Sequence, residues 1–369
     1  MATVRKRKLP SGAVVWQATY NDQGNTRRSR HFTRKSDADA YLVQVRHDVS
    51  RGLHVADSQS ITVAEAGKLW IERAERDGLE RSTVNQYVAH LKHHIVPEIG
   101  AVKLSALTAP RVNQFIDTLL ETRSRVLARK VLTSLGSLVD EALRRGLAAH
   151  NPARAVKIRN STREEEGGAV DMPTRAELRA ILATVEGRWR PLIVTATFTA
   201  LRGSELRGLV WADVDLKAGM LKVRRRADQW GRFGPPKSRA GKRDIPMAPM
   251  VLHALREWKL ACPVTKDDLV FPAPSGRVLS HACILKDGFG PLQVAAGVVT
   301  ETGKAKYGLH ALRHAAAAMF IEQGFGPKKV QSLMGHASIR LTFDTYGYLF
   351  KTDEEDRAGM AQIEERLLN

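Results

Sequence analysis

Apolar and polar positions alternate along this chain with two periods, and the changes of period divide it. Val14 to Tyr20 is β-prone, Asn21 to Asn25 is turn chemistry, and Thr26 to Phe32 resumes an extended, arginine-rich segment. That order predicts a hairpin. Ser36 is placed to cap a following helix, with Ala38, Tyr41, Leu42, Val45 and Val49 on one stripe. From residue 60 to 157 the period is helical. Thr62 and Glu65 form a capping box ahead of Leu69 and Trp70. Ser82 opens a second helix with Tyr87, Leu91 and Ile95, which Pro97 ends. Thr108 and Pro110 start a third, with Val112, Phe115, Ile116 and Leu119 inward. A fourth runs from Ser124 to Arg145, carries Leu127, Val131, Leu135, Leu138 and Leu143 inward, and stops at Gly146. Asn151-Pro152 is a further break. Four amphipathic helices joined by short turns predict a bundle.

Residues 158–170 lose all periodicity, with three consecutive glutamates and Gly167-Gly168, and are expected to form a linker. Thr174 and Glu177 then make a second capping box for a helix through Leu182. Leu192 to Phe198 reads as a buried helix. Gly219 to Arg226, a turn around Trp230 to Gly234, and Arg243 to Met247 suggest a small antiparallel sheet. Helices return at 250–260, 310–323 and 327–334, and Asp353 to Leu368 is a further one with Met360, Ile363 and Leu367 on one stripe. The expected fold is multidomain α+β. It comprises a small β-hairpin or sheet-plus-helix module over 1–55, an all-α four-helix domain over 60–157, the linker at 158–170, and a mainly α domain with a small antiparallel sheet over 171–369.

The charge changes the picture. The 369 residues carry 58 Lys and Arg against 39 Asp and Glu, a net +19, distributed over every segment rather than in one tail. Such an excess favours a polyanion, because each phosphate neutralised releases condensed counterions. Arg5, Lys6, Arg7 and Lys8 precede the hairpin, and Arg27, Arg28 and Arg30 line it, so a basic ribbon is available to a DNA groove. Two cysteines, Cys262 and Cys283, suggest neither a disulfide framework nor a zinc site, and a reducing, cytoplasmic and nucleoid-associated setting is expected. Met1 to Pro10 is basic without an apolar stretch, and no run approaches the ~20 apolar residues that a membrane span needs, so no membrane partner is expected.

Five polar residues then stand out. Arg202 sits in Thr-Ala-Leu-Arg-Gly-Ser-Glu-Leu, at the start of a second helix, with Glu205 three residues on. His310 and Arg313 sit in His-Ala-Leu-Arg-His and share a helix face at i and i+3. His336 follows Gly335 at the end of a short helix that Pro327 opens, and Tyr346 lies in Thr-Phe-Asp-Thr-Tyr-Gly. Singly, each has an ordinary reading: a surface Arg-Glu pair worth ~0–1 kcal/mol, a core histidine (for His314 above all), a C-terminal cation, a packing tyrosine. Together they are what cleavage of a phosphodiester without metal requires. Arginine forks offset charge on the non-bridging oxygens, a phenol attacks, and an acid protonates the leaving oxygen.

In this order and spacing the residues resemble the tyrosine recombinases, specifically the phage-type integrases. The resemblance is strong over residues ~171–350 and extends to the two N-terminal segments by architecture only. It implies that Arg202, His310, Arg313, His336 and Tyr346 are catalytic, with Glu205 as a buried acidic partner. It also implies a lysine in a β-hairpin, for which Lys237-Ser238 fits best and Lys242 is the alternative. Ala200 replaces the usual Gly before Leu-Arg, Ala311 follows His310 where a polar residue is common, and Tyr348 stands where many relatives have His.

The implied activity is site-specific recombination. Tyr346 would form a 3′-phosphotyrosyl link while Arg202 and Arg313 bind the non-bridging oxygens and His336 adds a hydrogen bond. Lys237 would protonate the 5′ oxygen, and His310 would assist proton transfer or position the phosphate. Neither metal nor cofactor is expected. The implied partners are double-stranded DNA at core-type and arm-type sites, three further copies of the chain in a tetramer on DNA, a directionality factor and a DNA-bending protein. Residues 1–55 would be the arm-type domain and 60–157 the core-binding, SAM-like domain. A resolvase or type IB topoisomerase shares the same chemistry. A non-enzymatic helix-turn-helix regulator, read from Ala315 to Arg340, is the alternative from another class.

Overall fold

The computed structural model describes residues 2–22, 24–50, 59–159, 170–350 and 353–368, so most of the expected linker and the junction before residue 59 lie outside the described residues. The chain divides into two compact units, Met1–Ser161 and Thr162–Asn369. No helix among the described residues is long and apolar enough to cross a membrane.

The first unit holds two separate apolar clusters, one built on Ala18, Tyr20, Ala38, Leu42 and Val45 and the other on the helical residues from Val63 to Val156. The hairpin is part of a three-stranded antiparallel sheet. β1 (Thr3–Lys8) and β3 (Arg27–Phe32) flank β2 (Val14–Asn21). The basic run before the hairpin is therefore a strand. It has no apolar alternation because it is an edge that contributes little beyond Val4 to the core. The helix begins at Lys35, so Ser36 lies within its first turn and is not the cap. Its stripe is as expected, with Ala38, Leu42 and Val45 buried against Ala18 and Tyr20.

Register sorts the basic residues by face. Ala18 pairs with Val4 and Arg30, and Tyr20 with Arg28, so Arg28 and Arg30 share the face that the helix covers. Arg28 is tied to Asp22 at 2.8 Å, and the Arg30 guanidinium lies 5.1 Å from the Tyr41 ring centroid. The opposite face carries Arg5 and Arg7 from β1, Gln17 and Thr19 from β2, and Arg27, Ser29 and His31 from β3. Lys6 and Lys8 are exposed along the edge of the covered face.

The helical part has the four predicted helices. Val63–Arg76 carries the Thr62/Glu65 capping box, and Thr108 and Ser124 cap Ala109–Thr122 and Arg125–Arg144. The second helix differs from expectation. It starts at Arg81 after Glu80, so Ser82 is inside it, and it continues past Pro97 through a π turn at Leu91–Ile95 to Val96–Ile99. The π turn has already shifted the hydrogen-bond ladder, which places Pro97 in a first turn where its missing N–H costs nothing.

The second unit is mainly helical. Arg175–Thr184 bears the Thr174/Glu177 box, and Trp189–Thr199 is buried along most of its length. The small sheet orders Val214–Asp215, Met220–Val223 and Arg243–Pro246, while the turn near Trp230 belongs to a separate two-stranded ribbon, Arg226–Ala227 with Phe233–Gly234. The helices Pro249–Ala261, His310–Glu322 and Pro327–Met334 fall where periodicity placed them. The helix Ile339–Tyr346 was not foreseen. Asp353–Leu368 is helical, and Met360, Ile363 and Leu367 are exposed on it.

Ala200 ends the Trp189–Thr199 helix in the left-handed region, with φ 52°. Its side chain is fully buried. The left-handed cost of roughly 1–2 kcal/mol for a non-glycine residue is partly offset by burying one methyl, about 0.8 kcal/mol. Ala200→Gly is therefore expected to change stability by no more than about 1 kcal/mol. Ala200→Val, a β-branched residue at positive φ in a packed site, is expected to lose about 2–4 kcal/mol, read from urea unfolding. Equal stability of the two variants would refute the argument.

Candidate active site

The site is organised by one helix C-terminus. Pro327–Met334 leaves its last carbonyls without intrahelical partners, and three guanidiniums take three successive ones. Arg243 Nε donates to Leu333 O at 2.7 Å, Arg313 Nη2 to Met334 O at 2.6 Å, and Arg202 Nη2 to Gly335 O at 2.9 Å. The negative end of the helix dipole favours these cations. Gly335 is obligatory here, because φ is 64° and a Cβ would lie 2.8 Å from Arg243 Nη1.

Glu205 joins two of the arginines. Its buried carboxylate accepts from Arg202 Nη1 at 2.9 Å and from the Arg202 backbone N–H at 2.9 Å. It also accepts both Arg243 terminal nitrogens, at 3.2 and 2.9 Å. Burial pushes this carboxyl up, but the Arg243 and Arg202 bonds and charges outweigh it and hold the carboxyl below its ordinary range. Arg313 also donates to the Ala200 carbonyl, which fixes it between two helix ends. Burial, then the charge of Arg202, pushes the Arg313 guanidinium down to about 9, so it is still a cation at neutral pH. Three guanidiniums around one carboxylate leave an uncompensated positive field, suited to an anion.

The remaining groups lie between this helix end and Tyr346. Its ring is buried with Ala200, Ala316, Ala317, Ile321, Val330 and Met334. Alanines along the His310–Glu322 helix let the Tyr346 ring lie close to its backbone. Tyr346 Oη is 2.7 Å from His314 Nδ1, and the His314 ring meets His310 edge-on at 4.7 Å. His336 Nδ1 is 3.0 Å from the buried Thr342 hydroxyl, and its other nitrogen has no hydrogen-bond partner among the described residues. Burial, followed by His314 for His310 and by Arg313 for His336, lowers both imidazoles to about 4, so both are neutral at pH 7. Burial raises the Tyr346 phenol to about 12, although Arg313 opposes it.

Arg202, Glu205, His310, Arg313, His336 and Tyr346 thus share one cluster. Lys237 and Lys242 are exposed on either side of the turn Arg239–Gly241, and their side chains make no hydrogen bond or ion pair among the described residues. Tyr348 is partly exposed in the next turn, where its hydroxyl accepts from the Val170 backbone N–H at 3.3 Å. Arg243 was not foreseen. Its signal was available, since Arg243 and Ile245 alternate inward on one strand and a charge on the apolar face of a strand needs a partner. The two helices that imitate a helix-turn-helix, His310–Glu322 and Pro327–Met334, are the ones that carry Arg313 and the three carbonyls.

Known proteins are similar to this chain. The phage integrase family pattern matches residues 173–352, and the phage integrase central domain pattern matches residues 63–159. The chain belongs to the phage integrase family. It is an enzyme of the tyrosine recombinase type. It is 25% identical over 344 residues to a tyrosine recombinase XerC-like protein of Caldanaerobacter subterraneus subsp. tengcongensis, covering 85% of this chain and 86% of that one. It is 24% identical to a putative prophage phiRv2 integrase of Mycobacterium tuberculosis, covering 90% and 88%. Among solved structures, the Tn1549 transposon integrase in complex with a circular intermediate DNA superposes with a TM-score of 0.66 at 18% identity, over 82% of this chain and all of that one. A lambda integrase dimer bound to a core site gives 0.61 at 17% identity, over 94% of each. These structural likenesses concern the fold.

Proposed function

We propose that this recombinase integrates and excises a mobile element, cutting each strand through a 3′-phosphotyrosyl intermediate. The observation that carries the reading is the gathering of Arg202, Arg313, His310 and His336 into one cluster with Tyr346, whose phenol feels the Arg313 charge. Arg202 and Arg313 bind the non-bridging oxygens of the scissile phosphate in planar, permanently charged forks. His336, held by Thr342, donates to the same phosphate from its free nitrogen, and His310 positions it. Lys237 protonates the departing 5′ oxygen, with Lys242 as the alternative on the far side of the same turn. One phosphodiester replaces another, so the step is reversible without an energy source.

Lambda integrase has been solved as a tetramer bound to a Holliday junction. We extend that assembly to this chain, with a directionality factor and a DNA-bending protein as further partners. The exposed Met360, Ile363 and Leu367 stripe supports docking of the tail on a neighbouring protomer. Residues 60–157 hold the core-type site as the second domain, and residues 1–55 bind arm-type sites through the open sheet face that carries Arg5, Arg7 and Arg27. Replacing those three with alanine is expected to weaken arm-site binding about equally across sequences and to flatten its salt dependence by up to three phosphate contacts. Cleavage of a core-site oligonucleotide should be unaffected, and unchanged arm-site footprints would remove the assignment. The chemistry is tested with a nicked suicide duplex bearing the attachment core. The wild-type protein is expected to form a denaturant-stable protein–DNA adduct, and failure on every duplex that it binds specifically would contradict the reading.

A further inference from the structure

We propose that His314 is the base that takes the Tyr346 proton when the phenol attacks. The inference rests on the phosphotyrosyl reading above and adds a residue to it. The Tyr346 phenol hydroxyl bonds to His314 Nδ1 at 2.7 Å, whereas His336 Nδ1 is engaged with Thr342 and His310 meets the His314 ring edge-on. A candidate base must lie within about 2.6–3.2 Å of the proton it removes, and among the three histidines His314 satisfies that condition in this structure.

The surroundings make a base necessary and fit this one. Burial raises the phenol to about 12, so at pH 7 on the order of one molecule in 10⁵ carries a phenolate unaided. His314 faces His310 and Arg313 on its own helix, Tyr346 on the Ile339–Tyr346 helix, and His336 in the turn before that helix, while Tyr348 bears on Tyr346 from the turn after it. Burial and then Arg313 lower the imidazole below its ordinary value, so its Nδ1 can accept from the phenol at neutral pH. In the step, the Oη–H bond breaks and its proton passes to Nδ1. Oη forms its bond to phosphorus, the bond from phosphorus to the 5′ oxygen breaks, and Lys237 protonates that oxygen. The bound phosphate supplies the negative charge that stabilises the new imidazolium beside Arg313. On rejoining, the imidazolium returns its proton to the departing phenolate.

The test follows adduct formation on a suicide duplex and on the same duplex with a 5′-bridging sulfur, whose thiolate leaves without an acid. His314→Ala is expected to slow cleavage by roughly 10²–10⁴-fold on both substrates, whereas Lys237→Ala should recover on the sulfur substrate. His314→Gln, which keeps an acceptor for the phenol but no base, should be equally slow and should bind DNA as the wild type does, which separates chemistry from folding. The wild-type rate should fall as pH drops through the imidazole pKa in the DNA complex. In both variants that limb should vanish, and the rate should instead climb with hydroxide. Placing a fluorinated, more acidic tyrosine at 346 should restore much of the His314→Ala rate. A His314→Ala variant as fast as wild type, or faster because the contact is only a latch, overturns the proposal. So does a loss that is independent of pH and indifferent to the fluorinated tyrosine. If Tyr346→Phe still forms adduct, the underlying reading fails; if it does not and His314→Ala is unimpaired, only this inference fails.

Discussion

Tyr346→Phe leaves no detectable covalent adduct on a suicide substrate, a loss of at least about 10⁴-fold, while specific DNA binding persists. The substitution removes one oxygen from a ring whose packing against Ala316, Ala317 and Val330 is unchanged. The Arg202, Arg243 and Arg313 guanidiniums are held by Glu205 and by helix carbonyls, and none of these bonds involves the phenol. The structural cost is the unpaired His314 nitrogen, about 1 kcal/mol at a half-buried site. Tyr348→Phe keeps the adduct, because that hydroxyl serves only the Val170 backbone in the described residues and its ring is partly exposed. Mapping the DNA-linked peptide by mass spectrometry decides between the two. A peptide linked through Tyr348, or an adduct that survives Tyr346→Phe, would mean that the nucleophile was misassigned.

The features that could be read from sequence are those fixed within a few residues. The capping boxes at Thr62/Glu65 and Thr174/Glu177 are local geometry, and both are present as read. Pro327 and Gly335 bracket their helix for the same reason. Where tertiary context decides, reading failed. β1 is a strand of four consecutive basic residues after Thr3 and Val4, which only its partner strand defines. Residues 281–295 form a helix with a π turn, but Gly288 lies so close that a Cβ would sit 2.6 Å from the Trp189 ring. Glycine there serves close packing and erases the helical pattern. The set from Arg202 to Tyr346 stood out because its order is distinctive, and the structure brings its members into one cluster although they lie up to 144 positions apart. Arg243 and His314 escaped because what singles them out is a contact across the fold, with Glu205 and with Tyr346.

Glu205→Gln is expected to destabilise the second unit by about 3–5 kcal/mol, the cost of leaving a buried ion pair with one partner. Arg243 is the reason. Its side chain is 4% exposed, and its nearest countercharge is the Glu205 carboxylate. Glutamine keeps the shape but donates where it must accept, so one Arg243 or Arg202 bond is lost together with the charge. Linkage gives a second signature. The native carboxyl titrates below its unfolded value, so its contribution is complete above the ordinary glutamate range and is lost as pH falls through the lower native pKa. The glutamine variant should lack that acid-side loss, and its deficit should therefore shrink toward low pH. DNA supplies a third. A scissile phosphate placed among Arg202, Arg313 and the displaced field of Arg243 replaces part of the missing negative charge, so core-site DNA should raise the melting temperature of the variant more than that of the wild type. The magnitude is read by calorimetry on the transition that DNA shifts. A variant as stable as wild type would mean that Arg243 is neutralised elsewhere, and an equal DNA shift for both proteins would mean that the phosphate does not sit in the field that Glu205 balances.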